Sequence, residues 1–167
     1  MPATPTDAQR FVSPIAAFLE EIGLRIEWGE VPADAFLPGI LVIRGGLRVD
    51  SSRLKYPGDL LHEGGHLAGL TGEERQQPVP IVNPDPGFEM MALAWSYAAA
   101  VRIGLPLEVL FHPDGYKGGA ASLMENFSVG RYVGVPMLQY FGLACEPRLA
   151  ADHGVPAYPH MLNWLRP

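Results

Sequence analysis

Apolar positions along this chain change period several times, and each change marks an element. Phe11, Ile15, Phe18, Leu19 and Ile22 share one stripe of a helix predicted over Ala8 to Ile22, with Gly23 at its end. Leu24 to Trp28 alternates as a short strand, and Gly39 to Asp50 reads as a hairpin turning at Gly45-Gly46. Leu60, Leu61, Leu67 and Leu70 return to helical spacing. Pro57 suits the first position of that helix, Asp59 is an alternative cap, and Gly72 is a plausible stop. A polar, proline-rich loop from Thr71 to Gly87 follows, long enough to line or cover a site. Asp85 then caps a helix with Pro86 at its first position and a run of Met, Ala and Leu reaching Ala100. Phe111 to Gly119 reads as a loop, Ala120 to Phe127 and Pro136 to Phe141 as helices. The tail, with Pro147, Pro156, Pro159 and Pro167, is expected to be irregular. The predicted class is α+β, mainly helical, with a small N-terminal sheet before the helix around residue 62. One domain over 1–167 is expected, without repeats or low-complexity blocks.

The helix after the hairpin carries chemistry. Its sequence Leu60-Leu61-His62-Glu63-Gly64-Gly65-His66 contains H-E-x-x-H, and residues four apart stand on one helical face. His62 and His66 can therefore grip one metal ion, with Glu63 beside them as a base for metal-activated water. From the chain's 5 His and its Glu content, chance produces this pattern in about one chain in a hundred. Its apolar setting points the same way. The bland reading is a core helix with two ordinary histidines. Gly64 and Gly65 each cost about 1 kcal/mol against Ala in a helix interior, so a close approach of another backbone or of a substrate is expected there.

A catalytic zinc usually has three protein ligands and an open position. The H-E-x-x-H-x-x-G-x-x-H pattern would supply a third histidine; Gly69 matches its glycine, but Gly72 stands at the ligand position. A carboxylate from the next helix is the alternative. Glu89, in the first turn of the Pro86 helix, is the leading candidate, with Glu73, Glu74, Glu125 and His112 as the others. The helix dipole alone also favours an acid at Glu89. Tyr97, His112, Tyr116, Arg131 and Tyr132 are candidate oxyanion donors, His112 and Tyr116 foremost because they share a glycine-rich loop.

His62, Glu63 and His66, followed after a loop by Glu89-Met90-Met91-Ala92, resemble the compact gluzincin-type metallopeptidases, and among them the ImmA/IrrE-like domains. Tyr97-Ala98 and Leu105-Pro106 match less closely, and the resemblance spans roughly residues 40–106. It implies a zincin-like fold, Zn2+ held by His62, His66 and Glu89, and Glu63 as the base in hydrolysis of a peptide or protein substrate. In such folds an edge strand before the metal helix can align an extended peptide; a plain core hairpin is the equal alternative. Because the family includes regulators, a zinc-containing module that binds a protein partner without cleaving it is the second reading. A domain without metal, its H-E-x-x-H a coincidence, is the third.

Composition narrows the surroundings. A net charge of −6 argues against a phosphate-backbone binder, so no nucleic-acid partner is expected. Met1 to Thr6 lacks the plan of a signal peptide, and the apolar run from Met90 to Val101 is too short to span a bilayer, so no membrane partner is expected. The single Cys145 excludes an internal disulfide and suits the cytoplasm, where it is expected as a small buried hydrophobe. Trp28, Trp95 and Trp164 are expected to serve packing. Oligomeric state is left open.

Overall fold

The structure, a computed structural model, describes residues 9–167; the reading of Met1 to Thr6 and the start of the first helix at Ala8 lie outside the described residues. A 3₁₀ turn at Gln9–Phe11 leads into α1 (Val12–Glu21), which buries Ile15, Phe18 and Leu19 on the predicted stripe. Next comes β1 (Arg25–Trp28), then the hairpin of β2 (Ile40–Ile43) and β3 (Gly46–Val49). The sheet order is β1-β3-β2, with β1 parallel and β2 antiparallel to the central β3. The hairpin turns one residue earlier than Gly45-Gly46. Ile43 pairs with Gly46, so Arg44 and Gly45 make the turn, Gly45 at φ 74°. Gly46 is small for another reason: a Cβ there would lie 1.8 Å from the carbonyl oxygen of Arg25 in the neighbouring strand.

The next helix, α2 (Gly58–Gly69), ends before the predicted stop at Gly72. Leu70 is already extended, with ψ 149°, and Thr71 caps a separate turn, α3 (Gly72–Arg75). Thr71 and Glu74 form a reciprocal capping box, so Glu73 and Glu74 occupy a helical turn instead of a loop, and both are exposed. Buried Arg75 folds back and donates to the carbonyls of Leu67 and Leu70 at the end of α2 and to that of Arg166, 2.6 Å away. The unpaired carbonyls of a helix end thereby meet a cation.

The longest helix is α4 (Pro86–Ile103). Its start follows the sequence: Asp85 Oδ1 accepts the Gly87 N–H at 2.7 Å, and Pro86 holds the first position. Every residue from Met91 to Ala100 is buried, the signature of a helix enclosed on all sides. Ser96, the polar exception, donates to Ala92 O at 2.5 Å, and its Oγ lies 3.2 Å from Leu61 O across the seam with α2. That seam is tight because α2 lacks side chains there. A Cβ on Gly65 would meet Ala92 O at 2.8 Å, and one on Gly64 would meet Leu19 Cδ2 at 2.9 Å and the Trp95 ring at 3.3 Å. The expected close approach of a backbone is therefore present at Gly65.

Then follow α5 (Leu107–Leu110), a loop with a 3₁₀ turn at Tyr116–Gly118, α6 (Ala120–Ser128) and α7 (Val135–Tyr140). The tail begins as a helix, contrary to the irregular course expected: α8 (Pro147–His153) uses Pro147 as its first residue. Trp95 is fully buried and donates Nε1–H to Trp164 O at 2.8 Å, whereas Trp28 is 53 % exposed and does not pack as expected. Cys145 is buried, its Sγ 3.6 Å from His153 Nδ1. The architecture is α+β, about half helical with a three-stranded sheet. Among the described residues no helix is long and apolar enough to cross a membrane.

Candidate metal centre

Helical spacing on α2 stacks His62 and His66 on one face, with ring planes 88° apart and Nε2 atoms separated by 3.2 Å. The first turn of α4 brings in Glu89, whose Oε1 lies 3.0 Å from His62 Nε2 and whose Oε2 lies 2.9 Å from His66 Nε2. Among the described residues this is the one group of three His, Cys, Asp or Glu side chains close enough to share an ion. The donor set fits zinc on its own geometry. Bonds of about 2.0–2.1 Å around a tetrahedral ion separate neighbouring donors by roughly 3.3 Å, close to the 3.2 Å between the two Nε2 atoms, and one ligand atom from each of the three residues lies within 4.8 Å of the others. The histidine side chains are 14 % and 9 % exposed and Glu89 is 51 % exposed, so the cluster is open to solvent on the α4 side.

Glu63 is half-buried beside His62, and no protein hydrogen bond reaches it among the described residues. Burial raises its pKa; the neighbouring His66 and His62 pull the other way, and Asp59 and Glu89 add to the rise. At His62 burial opposes protonation, but the hydrogen bond and charge of Glu89, with Glu63 and Asp59, outweigh it and the pKa is raised. Glu89 is held far below the usual carboxylate range by hydrogen bonds to His62 and His66, against partial burial. His62 Nδ1 is buried without a partner, so packing orients the ring, with Tyr116 edge-on at 5.7 Å. Metal-binding histidines usually donate that second N–H, and His62 has no acceptor for it among the described residues.

The other sequence candidates separate cleanly. Glu74 is committed to the α3 cap and Glu125 faces Arg131 at 3.5 Å. Tyr97 is buried against Phe127, Tyr132 and Tyr158, a core role shared by Tyr132. Tyr116 reaches the wall of the cluster, but its hydroxyl donates to Leu110 O at 3.0 Å, and burial raises its pKa. His112 is buried and its Nε2 pairs with Asp59 Oδ1 at 2.7 Å, beneath a stacked Tyr56 ring 3.7 Å away. Asp59 is therefore not a cap; Pro57 occupies that position without a side-chain bond. The Asp59–His112 pair is absent from the sequence reading. Its one signal was spacing, since Asp59 precedes His62 by three residues and Glu63 by four, on the same helical face.

Comparison of the chain with protein-family models, with curated proteins and with solved structures finds no match.

Proposed function

We propose that this protein is a zinc-dependent metallopeptidase with a zincin-like arrangement, in which His62, His66 and Glu89 hold the ion and Glu63 is the general base. The observation that carries the reading is the convergence of two Nε2 atoms and a carboxylate within 3.2 Å of each other, with a half-buried carboxyl next to them on the same helix. Zinc, when bound, makes a water acidic near neutral pH and polarises a carbonyl. Glu63 has the position and the raised pKa of a group that takes up a proton and returns it to a departing amine. The neutral Nε2 lone pairs and the ionised Glu89 are the forms that bind a cation. Tyr116, its ring edge-on 5.7 Å from that of His62, is the oxyanion candidate that packs against the cluster, whereas His112 has its Nε2 bound to Asp59 and its Nδ1 buried.

The resemblance to ImmA/IrrE-like domains keeps a second reading in view, a zinc-containing interaction module without turnover. One observation favours it: the polar atoms of Tyr116 and of His112 Nε2 are already engaged inside the protein. Elemental analysis of tag-free protein beside His66→Ala and Glu89→Ala variants tests the metal site. One zinc per chain in the parent and its loss in both variants is expected; no zinc in the parent after incubation with it refutes the site. Mass-spectrometric digestion of a random peptide mixture then separates the two readings. Cleavage that disappears in Glu63→Gln supports the peptidase, and zinc without cleavage supports the module.

A further inference from the structure

A hollow of about 570 Å³ is walled by the end of α2, the start of α4 and the loop of residues 77–84. Gly69, Leu70, Val79, Val82 and Phe88 give it an apolar lining, and Arg166 supplies the one cation. None of His62, Glu63, His66 and Glu89 lines it, but it lies along the same two helices: Gly69 is three residues beyond His66 and seven beyond His62, and Phe88 precedes Glu89.

Arg166 is held in an unusual state. Its backbone is pinned, the N–H donating to Ala68 O at 3.0 Å and the carbonyl accepting from Arg75. Its guanidinium lies 4.1 Å above the Phe141 ring and spends one N–H on Gly69 O, at 3.3 Å. Among the described residues no carboxylate comes within 4.0 Å of it. The other cations without a carboxylate there are exposed (Arg10, Arg44, Lys117) or, like Arg75, saturated with carbonyls. Glu74 also borders the hollow; its Oε2 accepts the Thr71 N–H at the α3 cap, and the charge of Arg166, though more than 4.0 Å away, adds to the lowering of its pKa. The guanidinium keeps donors that no hydrogen bond among the described residues uses, and its planar fork matches a carboxylate.

We propose that this hollow binds the C-terminal residue of a peptide, an apolar side chain filling the lining and the terminal carboxylate meeting Arg166. This rests on the peptidase reading and names its substrate class: short peptides with a free, apolar C-terminus. An acidic side chain on Arg166 fits less well, because it leaves the apolar lining with no apolar group of the ligand to cover it. From His66 to Gly69 the helix rises about 4.5 Å, and each residue of an extended peptide spans about 3.4 Å. The carboxylate on Arg166 thus belongs within a few residues of the bond held at the cluster.

Nuclear magnetic resonance titration tests this by binding, independently of turnover. The probes are acetyl-Leu-Leu-Phe as free acid, the same peptide as carboxamide, and acetyl-Glu-Leu-Phe carboxamide. They are added to zinc-loaded Glu63→Gln protein and to metal-free parent, reading the Arg166 Nε–H and the Val79 and Val82 amides. The free acid should bind roughly tenfold or more tightly than its carboxamide, the worth of a charge-assisted bond. Arg166→Gln should erase that preference and Arg166→Lys retain part of it, while Val79→Ser weakens acid and amide alike. If Arg166→Gln does not fold, the parent and Arg166→Lys comparisons carry the test. Equal binding of acid and amide, tighter binding of the Glu-containing amide, no shift at Arg166 up to millimolar peptide, or a preference surviving Arg166→Gln overturns the proposal. Failure of the metal reading shows separately, as absence of zinc uptake by the parent while the metal-free protein still prefers the acid.

Discussion

Replacing Gly65 by Ala sets two effects of known sign against each other. In an isolated helix the change gains about 1 kcal/mol. Here the new Cβ would stand 2.8 Å from Ala92 O and 3.1 Å from Ala92 Cα, both backbone atoms of α4. Ordinary contact begins at 3.4 Å, so 3.4 − 2.8 = 0.6 Å of separation must open between the helices. No rotamer change relieves it, and overpacking of this kind costs about 1–3 kcal/mol. The net result is a loss of stability of about 1 kcal/mol. The functional cost is larger. Gly65 adjoins His66, and Ala92 lies one turn beyond Glu89, so the gap opens where the donors now sit 2.9–3.0 Å apart. Metal bonds tolerate about 0.2 Å, and disturbing what supports a ligand typically costs 10–100-fold in affinity, so we expect zinc affinity to fall by about tenfold or more. Gly64→Ala is the comparison: its Cβ meets Leu19 Cδ2 at 2.9 Å and the Trp95 ring at 3.3 Å, side-chain atoms of the core and not the backbone of α4. The assay is competition against a chromophoric chelator, with thermal melts of the metal-free proteins. Undiminished zinc affinity in Gly65→Ala, with a melting temperature equal to or above that of the parent, would falsify the claim that backbone contact sets the helix gap.

Glu63→Gln should keep zinc at the parental level while turnover drops by about 10²–10⁴-fold, read as initial rates on any peptide the parent cleaves. Removing zinc with a chelator should leave the protein folded, with far-ultraviolet dichroism unchanged and a lower melting temperature that rises again with added zinc as mass action requires. Arg75→Met strips the end of α2 of its cation and should cost about 3 kcal/mol in urea unfolding; a loss under about 0.5 kcal/mol would contradict the capping role. Asp50 is held below its ordinary pKa by hydrogen bonds from Ser52 and from the Val31 N–H, against partial burial. Its contribution is present above about pH 3.8 and lost as pH falls through the lowered value. Asp50→Asn should flatten that acid limb in stability measured from pH 6 down to pH 2.

The legible parts of this fold are those where local chemistry and tertiary packing agree. Asp85-Pro86 marks the start of α4 because cap and fixed φ act within three residues, and Glu89 follows in the first turn whatever the helix packs against. Phe11 to Ile22 shows its stripe because only one side of α1 meets the core. Legibility fails where a distant segment decides. Gly72 resembles a helix stop, yet Arg75 returns to the carbonyls of Leu67 and Leu70, and the chain restarts at Thr71. Gly46 resembles a turn residue, yet β1 packs against it and the turn moves to Gly45. Asp59 resembles a cap, but its partner is His112, 53 residues away. At the candidate site the helical face of His62 and His66 follows from spacing alone, whereas the hollow at Arg166 needs the tail, α2 and the 77–84 loop together.

The same division explains why the cluster can exist before any ion arrives. His62 and His66 are fixed by α2, whose buried Leu60, Leu61 and Leu67 belong to the core. Glu89 is fixed by α4, whose position depends on Met91, Trp95 and the Ala92 contact with Gly65. None of those contacts involves the three donors. Folding therefore brings two imidazoles and a carboxylate together at the expense of the α2–α4 packing, and Glu89 and His62 shift their proton affinities in opposite directions to accommodate each other. In a small domain that needs its metal to fold, no site stands formed before the metal binds. Here two core helices set the donor spacing, so the binding free energy of an ion held there would go to ligand chemistry and not to ordering the chain.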